Sequence, residues 1–444
     1  MYRKMKKLAK MAKSWGTKFR GILRTLLERA HLIPNRMIIE GVTIDPADHR
    51  RVQLRYRLSG EWKRYIECRK PCFIEYCVPV NDVPESVLVV PFLANFLPLA
   101  WVKDAVVEVP VCDKAFADAI PLIRQGYADM YPEQSFRAKI RIGRTEVNPC
   151  RSENKRTAAL FSGGLDATAT LLRHLDEIDD LFMIFGADVN CRNQTGIANM
   201  KKILQDASEQ FGKNGLWCRT SIRKVLRKKK LDPLVKHPGE TWWHGYHHGI
   251  SMLSMLAPLA WIYGISTLYI ASSFTKGQAH VCASDPTIDN HMSYCGCRVI
   301  HDAYELDRSD KIRLVGKYAE ATGNNLYIRA CIKSKEALNC CKCEKCIRTI
   351  LGFWSCGYDP KQFGFQQYGS VDELGEALYK KLPRCRQKFQ PRYEPVQKSM
   401  QETYSRDEVP ENLRWLYDFD FQNMTDAEIK EYFTDPALKN STSP

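Results

Sequence analysis

From residue 155 to about 355, short apolar bursts alternate with segments of helical periodicity, and this alternation constrains the fold more than any other feature of the chain. "TAALF", "DDLFMIFGA", "GLWCRTS", "STLYIAS" and "NLYIRAC" read as strands, with helices between them at 166–175, 195–211 and 246–264. Strands separated by helix-length segments cannot pair through tight hairpins. The expected product is an α/β domain, a parallel sheet with helices on both faces. Residues 37–150 have another texture. "RMIIEGVTI", "RRVQLRYRL", "FIEYCVPV", "SVLVVPFL" and "AVVEVPV" read as strands punctuated by turn residues, and "DKAFADAIPLIRQGYADMY" reads as one helix. That combination gives an N-terminal α+β domain. Residues 361–444, with "VDELGEALYKKL" and "TDAEIKEYF", read as a helical extension ending in a disordered "KNSTSP".

Charge is distributed unevenly. The net charge is +15, yet residues 1–36 alone hold eleven Lys/Arg against Glu28, and "IRKVLRKKK" at 222–230 adds six more cations. Between 8 and 26, Leu8, Met11, Trp15, Phe19, Ile22 and Leu26 recur at spacings of three and four, the stripe of an amphipathic helix. Such a helix either docks on its own protein or lies on an acidic surface of membrane, nucleic acid or partner. No apolar run reaches the roughly 20 residues that span a bilayer. The longest, "ISMLSMLAPLAWIYGIS", contains Pro258 and reads as a buried helix. The first 30 residues lack the apolar block of a secretory signal, so the expected compartment is the reducing cytoplasm. There, clustered members of the 17 cysteines point to metal or thiol chemistry.

"AALFSGGLDATATLL" runs from an apolar burst through two glycines into a helical pattern. One glycine suffices for a tight turn; two beside a hydroxyl let a ligand approach the backbone. Ser162, Gly163, Gly164, Leu165 and Asp166 would present consecutive N–H groups at the positive end of a helix, an anion nest. The loop lacks the Gly-Lys-Ser/Thr ending of a Walker A loop and is not Gly-x-Gly-x-x-Gly. About 20 residues on, "IFGADVN" places Asp188 and Asn190 at a strand exit, where ribose and adenine contacts are expected unless the exit is merely polar.

In "CIKSKEALNCCKCEKCIRT", Cys331, Cys340, Cys343 and Cys346 form C-x8-C-x2-C-x2-C, with Cys341 as an adjacent spare. Two-residue gaps fold knuckles that aim both sulfurs at one ion, so four thiolates here suit a tetrahedral Zn2+. Other clusters speak less clearly. His244, His247 and His248 in "WWHGYHHGISMLSMLAPLA" make helix-start polar contacts, line a nucleotide site or bind a second metal. Cys68, Cys72 and Cys77 are core or edge thiols or a second metal site. His301, Asp302, Glu305 and Arg308 have helical spacing and either face a cleft or form a salt-bridged surface.

Ser-Gly-Gly-Leu-Asp after an apolar strand resembles the signature of the PP-loop ATP pyrophosphatase superfamily. The C-x8-C-x2-C-x2-C pattern closed by Arg348 resembles the zinc site of 7-cyano-7-deazaguanine synthases within it. "DNHMSYCGCRVIH" matches a third segment of those enzymes in part, through Asp289, Tyr294, Cys297 and Arg298. His248 and Gly249 stand where that family has Arg-Asn. The likeness spans about 155–355 and implies an adenine-nucleotide-binding (HUP/PP-loop) domain, bounded here at 155–360. It implies that ATP and Mg2+ bind at Ser162, Gly163, Gly164, Leu165, Asp166, Ala167, Thr168 and Asp188, with Ser162, Asp166 and Arg298 catalytic. The family loop closes on serine; Ala167 stands there, so Thr168 supplies that hydroxyl or it is missing.

The implied reaction adenylates a small deazapurine-like carboxylate, after which a nitrogen nucleophile displaces AMP. With its flanking domains the chain resembles the larger relatives of that family found in anti-phage islands, which implies a macromolecular acceptor, protein or tRNA. A tRNA-modifying enzyme and a non-catalytic nucleotide sensor are the other expectations, and nothing in the chain forbids a homodimer.

Overall fold

The computed structural model describes residues 35–152, 154–237, 240–277, 281–331, 333–380 and 390–421. The expected basic helix within 1–36, apart from its last two residues, lies outside the described residues, as do "TDAEIKEYF" and the "KNSTSP" end. The chain divides into two compact units. One contains residues up to Asn154 with Thr220–Ile265 and Val281–Arg298; the other contains Lys155–Arg219, residues 266–280 and those from Val299 on.

The first unit carries β1 (Arg36–Ile44), β2 (Arg51–Ser59), β3 (Phe73–Tyr76), β4 (Ala105–Asp113) and β5 (Ala138–Glu146). Their order is β3-β2-β1-β4-β5; β1 pairs antiparallel with β2 and β2 with β3, while β1–β4 and β4–β5 are parallel. Strand periodicity works here because Val52 and Leu54 turn inward while Gln53, Arg55 and Arg57 turn outward. The helix Lys114–Met130 forms where expected, capped by Asp113, whose carboxylate accepts from the Phe116 N–H at 3.0 Å.

Two expectations that fall in this unit need correction, and one strand went unread. "SVLVVPFL" is helical, within Glu85–Leu88 and Val90–Val102. Every residue from Val90 to Trp101 is buried, so the segment has no polar face to betray a helical period, and its valines imitate a strand. The strand β5 forms from "AKIRIGRTE", which charge had hidden. The single helix expected at 246–264 comes in pieces: a π-helical turn Trp243–His247, then His248–Ser254 and Ala257–Tyr263. Pro258 opens the last piece, where its missing N–H costs nothing, and Gly264 closes it at φ +73°.

The second unit is α/β. Its strands β6 (Arg156–Leu160), β7 (Asp180–Phe185) and β8 (Asn214–Thr220) pair in parallel, β6 with β7 and β7 with β8. Beyond β6 follow β9 (Ile265–Ala271) and then β10 (Cys297–Asp302). The helix Leu165–Arg173 lies between two cores. Leu165 and Ala169 join the one built on the helices Arg308–Thr322, Glu344–Ser355 and Gln390–Thr403; Ala167 and Leu171 join the one under Gln194–Phe211. Both ends of this helix are thereby fixed by apolar packing.

Two further corrections belong here. "NLYIRAC" is irregular, although Leu326 and Ile328 donate to the Gln362 and Phe363 carbonyls. Asn339 takes three more of its polar groups: its Oδ1 accepts from Ala330 and Cys331 N–H and its Nδ2 donates to the Ile328 carbonyl at 2.8 Å. His301 and Asp302 sit on β10 instead of a helix; the helix starts at Arg308, with Asp307 and Asp310 closing a capping box. Among the described residues, no helix is long and apolar enough to cross a membrane.

Candidate anion and metal site of the second unit

The chain leaves β6 at Leu160 and turns through Ser162, Gly163 and Gly164 into the helix Leu165–Arg173. Gly163 takes φ +72°, a conformation that costs an L side chain roughly 1–2 kcal/mol. Gly164 is the N-cap and supplies no capping side chain, so no side chain closes off the first-turn N–H groups. Ser162 folds back, its Oγ accepting from the Gly164 N–H at 3.3 Å. Gly163 is buried, whereas Ser162, Gly164 and Asp166 are partly open to solvent. Ala167 and Thr168 are buried, and the Thr168 N–H donates to the Gly164 carbonyl at 2.9 Å.

Three cations that spacing alone could not associate, Lys311, Arg308 and Lys345, gather at Asp166 on this helix start, with Arg348 beside the last two. Lys311, 2% exposed, donates from Nζ to the Ser272 carbonyl at 2.6 Å and lies 3.5 Å from Asp166 Oδ1. Arg308 donates from Nη2 to Thr349 Oγ1 at 2.8 Å. Burial first, then repulsion by Arg348, draws its guanidinium down to about 10, with Asp166 and Glu344 opposing. Lys345 is reached by solvent, yet partial desolvation followed by repulsion from Arg348 and Arg308 lowers its ammonium pKa, while Asp188 and Asp166 act the other way. Asp188 itself is exposed.

The cations outnumber the carboxylates they face. Glu344 is already engaged by Arg348 at 3.5 Å and Arg392 at 3.3 Å. Arg308 Nε is buried without a hydrogen-bond acceptor among the described residues, and Arg348 Nε meets only the Glu344 carboxylate, at 3.5 Å. Buried guanidinium donors normally find acceptors. A buried guanidinium donor without an acceptor, surplus positive charge and an uncapped helix start together suit an anionic ligand.

Cys331, Cys340, Cys343 and Cys346 converge, their sulfurs all within 4.8 Å of one another. Cys343 Sγ lies 3.5 Å from Cys346 and 3.8 Å from Cys331, and Cys340 lies 3.9 Å from Cys346. Zinc–sulfur bonds of about 2.3 Å at tetrahedral angles would separate sulfurs by roughly 3.8 Å. Backbone N–H groups of Lys342 and Cys343 face the Cys340 sulfur and that of Cys346 faces Cys343, as in a metal knuckle. The thiols share protons: hydrogen bonding from Cys346 pulls Cys343 down to about 5 and pushes Cys346 far up. Four sulfurs so placed fit a metal such as zinc and leave it no open position, which makes the site structural. Cys341 is buried at φ +51° and stays outside the group.

The cluster and the cations are mechanically linked. Cys343 is the N-cap of the helix Glu344–Ser355, and Cys346 lies in its first turn beside Lys345 and Arg348. A metal holding both cysteines fixes the start of the helix from which those two cations project.

The remaining expected residues lie elsewhere. Arg298 is exposed and belongs to the first unit, whereas Ser162 and Asp166 belong to the second. Asp289, Tyr294 and Cys297 are buried in the first unit; Tyr294 donates to the Leu253 carbonyl at 2.7 Å and Asp289 accepts from Ser284 at 2.7 Å. His244 pairs with Glu240 at 2.6 Å, and His247 is buried edge-on to Trp243. Among the described residues, neither these histidines nor Cys68, Cys72 and Cys77 join a group of three metal-ligating side chains. Lys311 and Asn339 were not singled out by the sequence, and only the three-dimensional fold brings them here; Arg308, read as facing a cleft or a salt-bridged surface, lies beside Arg348 and under the influence of Asp166. No known family model matches the sequence, and no curated protein matches it significantly.

Proposed function

We propose that the second unit binds the polyphosphate of ATP at Ser162–Asp166 and activates a carboxylate as an acyl-adenylate, which a nitrogen nucleophile then attacks. The observation that carries this reading is the meeting of an uncapped helix start with Lys311, Arg308 and Lys345, the last two beside Arg348. In this scheme the first-turn amides and Arg308 and Arg348 hold the β- and γ-phosphates. Lys311, 3.5 Å from Asp166, offsets the negative charge that builds on departing pyrophosphate. Asp166 and Asp188, both of which act on Lys345, are the carboxylates that would hold Mg2+, which would add charge neutralisation at the phosphate oxygens. The likeness to 7-cyano-7-deazaguanine synthases suggests a deazapurine carboxylate as the acid and a PP-loop layout for the domain.

Incubation with α-labelled ATP and 7-carboxy-7-deazaguanine, followed by chromatography of the nucleotides, tests this. AMP together with an amide or nitrile product is the expected result. Tight ATP binding without AMP would instead fit a nucleotide sensor, the reading favoured by the apolar Ala167 at the end of the loop.

A further inference from the structure

The basic segment 222–230 finds its counterpart in the first unit. Ile66 and Leu226 form an antiparallel bridge, the Glu67 N–H donates to the Val225 carbonyl at 2.7 Å, and the Arg227 N–H donates to the Tyr65 carbonyl at 2.8 Å. Two segments some 160 positions apart are thus stitched side by side. Each turns its apolar residues inward, Trp62, Tyr65 and Ile66 from one and Ile222, Val225 and Leu226 from the other. Lys63, Arg69 and Lys70, and Lys228, Lys229 and Lys230, are left on the outside.

The first of these segments walls a concave groove of about 760 Å3 whose floor is the outward face of β2. Arg55, Arg57, Lys63, Arg69 and Lys70 line it, with Glu40 as the single carboxylate. Glu40 pairs with Arg57; Arg55, Lys63, Arg69 and Lys70 have no carboxylate partner among the described residues. Like charges crowded into a concavity repel one another, and a polyanion that displaces their counterions relieves this.

We propose that this groove binds the phosphate backbone of a single-stranded nucleic acid. Arg55 and Arg57 occupy alternate positions on one face of β2, about 6.6–6.8 Å apart, comparable to the step between successive phosphates of an extended strand. Guanidinium forks suit phosphate oxygens. On the same outward face Arg51 stacks over Phe73 at 4.0 Å, which sets one aromatic ring beside the cations, as single-strand binding uses; Tyr56 turns the other way, toward Phe96. A membrane surface fits less well, because the large hydrophobics exposed among the described residues, Leu122, Val147 and Tyr327, lie outside the groove.

The test is fluorescence anisotropy of the full chain with labelled oligouridylate and single-stranded DNA of about twenty nucleotides, enough to exceed the site. The competitors are duplex DNA, polyglutamate and phosphatidylserine vesicles. Both single strands are expected to bind with a steep salt dependence; a difference between them identifies RNA or DNA as the source. The variant Arg55→Gln/Arg57→Gln/Lys70→Gln should bind at least about tenfold more weakly, with a salt slope shallower by about 2, since three lost phosphate contacts each contribute about 0.7. Its melting temperature should stay unchanged because all three side chains are exposed, and Lys202→Gln in the second unit should bind like wild type. Wild-type affinity and slope in the triple variant would overturn the proposal, as would equal competition by duplex, polyglutamate or vesicles. ATP binding in the triple variant is a separate readout, so the failure of one site does not imply that of the other.

Discussion

The Arg329 N–H donates to the Gly163 carbonyl at 2.6 Å, and two residues later the chain reaches Cys331 of the four-cysteine cluster. The glycine loop is therefore held from behind by the same segment that delivers a metal ligand. Arg329 is itself pinned, its Nε donating to the Ala337 carbonyl at 3.1 Å. The peptide at Gly163 has little room to rotate.

That fixation predicts different responses from the two glycines. A Cβ on Gly163 would lie 2.9 Å from Ile203 Cγ2 and would have to be carried at φ +72°. Gly163→Val should cost about 2–3 kcal/mol from strain and overpacking, lowering the melting temperature by several degrees and abolishing nucleotide retention. At Gly164 the backbone is ordinary, and the nearest atom to a Cβ is Ser162 Oγ at 3.2 Å. Gly164→Ala should cost less than about 1 kcal/mol, within the range of unstrained surface changes. Equal melting temperatures for both variants would refute the account of the loop.

The sulfur cluster predicts a second contrast. Cys343→Ser removes the N-cap of the helix Glu344–Ser355 from the metal set, and the protein should lose its zinc and melt at lower temperature. Cys341→Ser leaves all four clustered sulfurs in place, and the protein should keep one zinc per chain. Elemental analysis after gel filtration decides. Zinc retained at full stoichiometry by Cys343→Ser would show that the cluster is not the site.

What sequence revealed and what it hid divide along physical lines. The exit of β6 was readable because an apolar run ending in Ser-Gly-Gly is a local signal, complete within ten residues. The cysteines were readable because the spacing of metal knuckles is itself local. Val90–Val102 was misread because a helix buried on every side has no amphipathic period. "NLYIRAC" was misread because its β-branched and aromatic residues suit a strand, while Asn339 and the Gln362–Phe363 backbone take the hydrogen bonds a strand would make. Lys311, Arg308 and Lys345 come from two helices, and only tertiary packing shows that they share Asp166.

Acid should weaken the first unit through His247. This imidazole is 1% exposed, and its Nε2 has no partner among the described residues. Burial first, then the neighbouring Arg223 charge, draws its pKa down to about 3 from 6.5. The unfolded chain binds the proton near 6.5 while the folded chain refuses it, so the stability is complete above 6.5. It is lost as pH falls from there toward about 3, at up to about 1.4 kcal/mol per pH unit. His247→Gln should flatten urea stability against pH between 6.5 and 4. An unchanged slope would mean that other groups control acid unfolding.

Lys311 gives the sharpest test of the anion site. Its ammonium is almost wholly buried, donates to Ser272 and faces Asp166 at 3.5 Å, so its charge is directed at the helix start. Lys311→Met keeps the length of the side chain and removes the charge. The Ser272 carbonyl then loses a buried partner, at a cost of about 1–3 kcal/mol of stability. Binding should suffer separately. Affinity for MgATP and for pyrophosphate should fall at least about tenfold, equivalent to about 1.4 kcal/mol, and the salt dependence of pyrophosphate binding should flatten because one close cation is gone. A purely structural lysine would lower the urea midpoint without changing that salt dependence. Calorimetric titration of pyrophosphate at two ionic strengths separates these outcomes, and wild-type affinity at both would remove Lys311 from the site.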